Sequence, residues 1–201
     1  MKEVKLLATM TFIPPKSSIF VFTKLIEEML LDFEIDKLTH SLEDASTGDI
    51  LLTKVLPVEK ADLKFISKKS GWKFNWKTEY IAIEKQIFKL ILQQQPDEIQ
   101  GLICFEKKSD HVFMHLIETA PHNFGKSKKY FGVMANLIAF CCKVSYENGF
   151  DGELGFEAKT KLISHYIKEL GAIHFGGQRM VILKEAAINL ITIYYPDFFN
   201  K

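Results

Sequence analysis

At 201 residues the chain is long enough to bury one sizeable core, or a core with a small extension. Its composition, 47% apolar and 25% charged, is that of an ordinary globular protein, and a formal net charge of +1 argues against a generic nucleic-acid binder. Arg179 is the sole arginine, and lysine is a poor bidentate reader of base edges, which weakens a sequence-specific DNA role further. Cys104, Cys141 and Cys142 form no CxxC and have no histidine at ligand spacing. They read as reduced thiols of a cytoplasmic protein. No apolar run reaches the length of a membrane span, and the start lacks a signal-peptide core and cleavage site. The expectation is a cytoplasmic protein with no membrane or nucleic-acid partner.

Residues 1–37 read as an N-terminal extension. Ser17 or Ser18 is a suitable N-cap for an amphipathic helix over residues 19–33, whose apolar face fits either the main domain or a second copy in a homodimer. From residue 36 onward, DKLTHSLEDASTGDILLTKV offers two short strands around a Ser-Thr-Gly-Asp turn. Residues 57–69 resemble a helix with Leu63, Phe65 and Ile66 facing inward. The aromatic stretch GWKFNWKTEY follows. Trp72 and Trp76 there either close one edge of the core or wall a pocket.

QIFKLILQ, IQGLICFEKK and HVFMHLIETA are rich in β-branched and aromatic residues and separated by short polar turns, so they read as an antiparallel meander. The basic, glycine-containing stretch HNFGKSKKYFGVM comes next. It leads into a long helix over residues 133–148, stopped by Asn148-Gly149. A strand candidate, FDGELGFEA, is followed by an amphipathic helix, TKLISHYIKEL, capped by Thr160 and stopped at Gly171. In AIHFGGQRMVIL, Gly176-Gly177 can turn a hairpin, and EAAINLITIYY closes the chain as helix or strand. Strands followed by helix, strand, helix and strand argue for a mixed α/β sheet.

The chemistry concentrates at the basic stretch. Amides at a helix start lack intrahelical partners and carry the positive end of the helix dipole, so they attract anions. Gly132 removes a side chain where a phosphate approaches the backbone, and Lys126, Lys128 and Lys129 add point charges. Read by itself, the stretch also fits a solvated lysine loop before a core helix. Elsewhere, His111 and His115 share a strand face with Phe113 but have no third ligand for a metal on that face. Cys141 and Cys142 lie among apolar residues, a setting for buried thiols and not for a nucleophile. Arg179 is either a surface hairpin residue or a carboxylate clamp.

KYFGVM, placed after a strand ending LIETAP and feeding a long helix, resembles the Q/R-x-x-G-x-G/A loop of the GNAT superfamily of N-acetyltransferases. Met134 stands where Gly or Ala is usual, and the loop from residue 121 is longer than the family's compact form. The strand, helix and hairpin that follow are also similar in order, most securely over residues 99–177. The resemblance implies an α/β fold with a mixed, mainly antiparallel central sheet flanked by helices, filling residues 38–201. It implies acetyl-CoA or another acyl-CoA as co-substrate, an amine acceptor, and no metal. Backbone groups around Ile117 and Thr119 are implied to meet the pantetheine, and amides of Lys129, Phe131, Gly132, Val133 and Met134 to hold the pyrophosphate. Tyr166 is implied as the acid that protonates the departing thiolate, and Glu118 as the base or water-positioning group. A GNAT-like domain without turnover, serving to bind CoA or a protein partner, is the alternative.

Overall fold

The computed structural model describes residues 33–200. The expected N-terminal helix over residues 19–33 lies almost wholly outside them. In chain order the strands are β1 (Leu42–Asp44), β2 (Ile50–Leu51), β3 (Thr53–Pro57), β4 (Gln86–Leu92), β5 (Gln95–Lys107), β6 (Val112–Thr119), β7 (Tyr130–Phe131), β8 (Leu154–Glu157), β9 (Ile173–His174) and β10 (Arg179–Ile182). The helices are α1 (Trp76–Tyr80), α2 (Val133–Glu147), α3 (Ile163–Leu170) and α4 (Lys184–Tyr194). The fold is α/β. Seven strands form one sheet in the order β3-β4-β5-β6-β8-β10-β9, antiparallel throughout except for the parallel β6–β8 pair. A small sheet, β2-β1-β7, lies beside it.

The meander forms as its alternation demands, with β4, β5 and β6 pairing in sequence. One face of the sheet carries the main core, where Leu90, Ile103, Phe105, Met114 and Ile117 join α2, on which α4 packs in turn. Phe105 stacks on Phe88 at 5.4 Å between centroids, and Phe140 of α2 closes on Phe88 at 4.9 Å. Leu137 and Ile138 of α2 are fully buried, each contributing about 1.5–3 kcal/mol by leaving water. The helix start sits close to the sheet because Gly101 of β5 carries no side chain: a Cβ there would lie 2.6 Å from Val133. Both tryptophans are buried in a smaller cluster on the other face, with Ile66, Leu102 and Leu116.

Two local expectations change, and one left open is decided. Residues 57–69 form no α-helix but two 3-10 turns, Asp62–Lys64 and Lys68–Ser70. Ile66 is buried whereas Phe65 is 58% exposed, so the apolar residues make no single stripe. The Ser67 hydroxyl also accepts the Ser70 amide, a local bond that competes with helix. Thr160 opens a 3-10 turn instead of capping α3, which starts at Ile163 with Leu162 at its N-cap. The closing segment is a helix, because Ala187, Leu190, Ile191 and Tyr194 recur at helical spacing on its buried side.

Candidate active site

The two parallel strands part. Pairing of β6 with β8 runs from Val112–Leu154 to Met114–Phe156, whereas β6 itself continues to Thr119. At the same level the β5–β6 register shifts, leaving His115 as an extra residue in β6. A bulge of this kind bends its strand and re-aims the side chains beyond it. Tyr166 of α3 packs edge-on to Phe156 at 5.6 Å on the β8 side of the opening.

A cleft of about 440 Å³ opens at this end of β6, lined by Phe33, Asp36, Thr119, Lys128, Met134 and Lys161 among others. It reaches the start of α2. Asn136 donates to the Gly132 carbonyl at 3.0 Å, so the amides of Val133, Met134 and Ala135 lie ahead of that first helical bond. The Gly132 amide itself donates to Asp36 Oδ1 at 3.1 Å, and Lys128 Nζ lies 2.9 Å from Asp36 Oδ2. A carboxylate of the chain's own thus sits at the helix start, where the dipole and the amides favour an anion. In the same cleft Thr119 Oγ1 is buried with no hydrogen-bond partner among the described residues, a polar atom that only a ligand or water can satisfy.

Gly132 has φ +84°, and a Cβ there would lie 2.0 Å from Thr39 Oγ1 and 2.9 Å from the Ser41 carbonyl. The missing side chain therefore makes room for residues 39–41 of this chain. Phe131 and Tyr130 are held from the same direction, pairing with Glu43 and Asp44 of β1. The long loop is not slack. Pro121–Asn123 form a 3-10 turn, the Asn123 side chain bonds the Gln100 carbonyl, and the Tyr130 amide donates to Asn123 Oδ1.

The expected cofactor residues divide by position. Thr119 and Met134 line the cleft, and Gly132 borders it through Asp36. Val133 is buried against Gly101, and Ile117 is buried in the main core. Lys126 is exposed in the loop, and Lys129 pairs with Glu98 at 3.2 Å, so neither lines the cleft; Lys128 does. Phe131 lies under the Lys128 ammonium at 5.2 Å.

Glu118 faces away from the cleft lined by Thr119, as strand alternation requires. Its carboxylate accepts the Lys73 amide at 2.6 Å, the Phe74 amide at 3.4 Å and the Trp76 indole N–H at 2.7 Å. Burial pushes its pKa above the ordinary carboxylate value, against these three donors, which pull it down. Tyr166 is fully buried, and its hydroxyl donates to the Phe33 carbonyl at 2.6 Å. Its neighbour His165 accepts the Ile35 amide at 2.7 Å.

His111 pairs with Asp110, and His115 with Glu106 at 3.0 Å. Among the described residues no cluster of three or more His, Cys, Asp or Glu side chains is arranged to hold a metal. Burial pushes the Cys104 thiol up to about 12 and those of Cys141 and Cys142 well above the ordinary thiol value, so none is a thiolate near neutrality. Arg179 is exposed at the start of β10, in register with Glu157. No helix among the described residues is long and apolar enough to cross a membrane.

Phe33, Ile35 and Asp36 fall ahead of the expected domain boundary at residue 38, Phe33 as the end of the expected helix and Asp36 as the start of the segment after it. Phe33 and Ile35 are buried in the main core. The signal available was the alternation FEID, apolar and acidic by turns, which suits an extended segment with one face inward better than the end of a helix.

Solved structures share this architecture. A chimera of the Vibrio cholerae spermidine N-acetyltransferase SpeG with hSSAT matches with a TM-score of 0.52 at 16% identity, covering 68% of this chain and 98% of that one. A mutant form of the Vibrio cholerae spermidine/spermine N-acetyltransferase SpeG matches with a TM-score of 0.51 at 16% identity, covering 68% and 96%. Dodecameric Vibrio cholerae SpeG in an intermediate state gives 0.50 at 17% identity, covering 68% and 96%. The fold is that of the GNAT acyltransferases. No protein-family model matches the chain, and no curated protein sequence does. At these identities the GNAT likeness carries the fold; residue roles rest on the geometry of the cleft.

Proposed function

We propose that the chain is an acyl-CoA-dependent N-acyltransferase that transfers acetyl from acetyl-CoA to a primary amine by direct attack. The observation that carries this reading is the parting of β6 from β8 beside an anion-binding helix start, with the orphaned Thr119 hydroxyl between them. Acetyl-CoA supplies a thioester carbonyl activated toward amines. The amides at the start of α2 and the Lys128 ammonium bind phosphate charge. Thr119 Oγ1 hydrogen-bonds the pantetheine arm along the open edge of β6. As the amine nitrogen bonds the acetyl carbon and the C–S bond breaks, the Tyr166 hydroxyl gives its proton to the departing sulfur. The proton shed by the amine passes to solvent, from which the tyrosine is reprotonated. Glu118 serves as a positioning residue, because its carboxylate fixes the Lys73–Phe74 turn and Trp76 beneath the strand. The solved neighbours are named for spermidine and spermine; here the acceptor class is a primary amine.

Thiol release from acetyl-CoA, followed with a panel of primary amines, tests the reading. Amine-dependent release is expected, and Tyr166→Phe is expected to lower kcat by roughly 10²-fold or more. A second reading, a domain that binds CoA without turnover, is favoured by the engagement of Tyr166 with Phe33. CoA binding with no amine-dependent release across the panel would support it over the first.

A further inference from the structure

Phe33, Glu34 and Asp36 form one wall of the cleft that the acyl-CoA reading needs, with Ile35 turned into the core between them. Four polar contacts fix them. The Phe33 carbonyl takes the Tyr166 hydroxyl at 2.6 Å, and the Ile35 amide donates to His165 Nε2 at 2.7 Å. The Asp36 carboxylate takes the Gly132 amide at 3.1 Å and the Lys128 ammonium at 2.9 Å. Apolar contacts reinforce them: Phe33 is 6% and Ile35 3% exposed, and the Phe33 ring lies edge-on to Phe74 and Phe124. Lys73 Nζ stands 5.0 Å from the Phe33 ring centroid and 3.6 Å from that of Phe124, closing the segment in from outside.

Three residue steps of extended chain span about 10 Å. That length separates an anion seated on the helix start from an amide-bearing chain that reaches Tyr166. A phosphate joined to an extended, amide-containing arm has the same outline and the same charge at the same end. Both cannot hold the Gly132 amide and the Lys128 ammonium at once. A carboxylate left beside bound phosphates would repel them across a poorly solvated cleft.

We propose that residues 33–36 are an intramolecular occupant of the acyl-CoA cleft, with Asp36 in the place of the pyrophosphate, so that acyl-CoA enters only as this segment leaves. The proposal rests on the acyl-CoA reading of the cleft. It makes the segment a competitive self-inhibitor, and its release also frees the Tyr166 hydroxyl from the Phe33 carbonyl. The observed affinity is then the intrinsic affinity scaled by the fraction of molecules with the segment out. Phe33, Ile35 and Asp36 hold the closed state, and Glu34, on the lining of the same cleft, adds a second negative charge against phosphates.

Titration calorimetry of CoA into the full chain and its Asp36→Asn and Asp36→Ala variants tests this. Both variants are expected to bind CoA about tenfold more tightly, the equivalent of one charged hydrogen bond removed from the closed state. Equal or weaker binding by a variant with an unchanged unfolding midpoint overturns the proposal and leaves the acyl-CoA reading standing. If neither wild type nor variants bind CoA at millimolar concentration, the acyl-CoA reading falls and this proposal with it. Hydrogen exchange on the wild-type chain gives an answer that needs no variant. Saturating CoA is expected to speed exchange at the Ile35 amide; unchanged or slowed exchange there overturns the proposal.

Discussion

Glu118 and Trp76 meet across 42 positions of chain, the indole N–H donating to the carboxylate at 2.7 Å in a site closed to solvent. The bond ties the short helix α1 to the last turn of β6. Removing either partner strands the other. Glu118→Leu and Trp76→Phe are each expected to lower stability by roughly 1–3 kcal/mol, the penalty for a buried polar group left unpaired. Because they break the same bond, the double variant should lose clearly less than the two single losses added. Denaturant unfolding of the four proteins measures this. Strict additivity would mean that the contact does not hold the two elements together.

Thr119→Val separates binding from folding. Among the described residues the hydroxyl has no partner to lose, so stability is expected to hold or rise by up to about 1 kcal/mol. CoA affinity should fall several-fold if, as proposed, that hydroxyl bonds the pantetheine arm. Loss of stability with unchanged affinity would place the Thr119 hydroxyl in the fold and not in the site.

Gly132→Ala meets two obstacles. The residue has φ +84°, and the new methyl would lie 2.0 Å from Thr39 Oγ1. The left-handed backbone alone costs about 1–2 kcal/mol in a non-glycine residue. The clash adds to it, so a loss of at least about 2 kcal/mol is expected in thermal or denaturant unfolding. A neutral substitution would show that residues 39–41 do not pack on the loop as described.

His115 gives a pH-dependence with a defined sign. Burial lowers its pKa, with the Glu106 bond opposing in part. A histidine whose folded pKa lies below its unfolded value stabilises the fold above that unfolded value, near 6.5. The contribution is lost as pH falls through the folded pKa. The stability advantage of wild type over His115→Gln should therefore narrow between pH 7.5 and pH 5.5. An advantage that widened toward acid would mean that the Glu106 contact outweighs burial.

Periodicity made much of the sheet legible. Alternating β-branched and aromatic residues marked β4, β5 and β6, and the helix α2 followed from its apolar run and the Asn148-Gly149 stop. Glycine, lysine and a helix start coincide in the loop before α2, and the carboxylate seated there is the chain's own Asp36. What escaped was long-range. Nothing local in Glu118 announces that it faces Trp76, and nothing around Gly132 announces Thr39. Asp36 reaches the loop across 96 positions, a pairing set by packing of Phe33 and Ile35 and not by any short motif. Residues 57–69 failed as a helix because side-chain bonds within the Ser67–Ser70 turn outweighed a weak apolar pattern.

The central claim is that the start of α2 binds the phosphates of CoA. Amide resonances of Gly132, Val133 and Met134, followed by two-dimensional NMR while CoA is added, test it most directly. The account predicts saturable shifts that are largest at Gly132 and in the first turn of α2, with Thr119 moving in step. Saturable shifts confined to other parts of the chain, or no shifts at millimolar CoA, would contradict it.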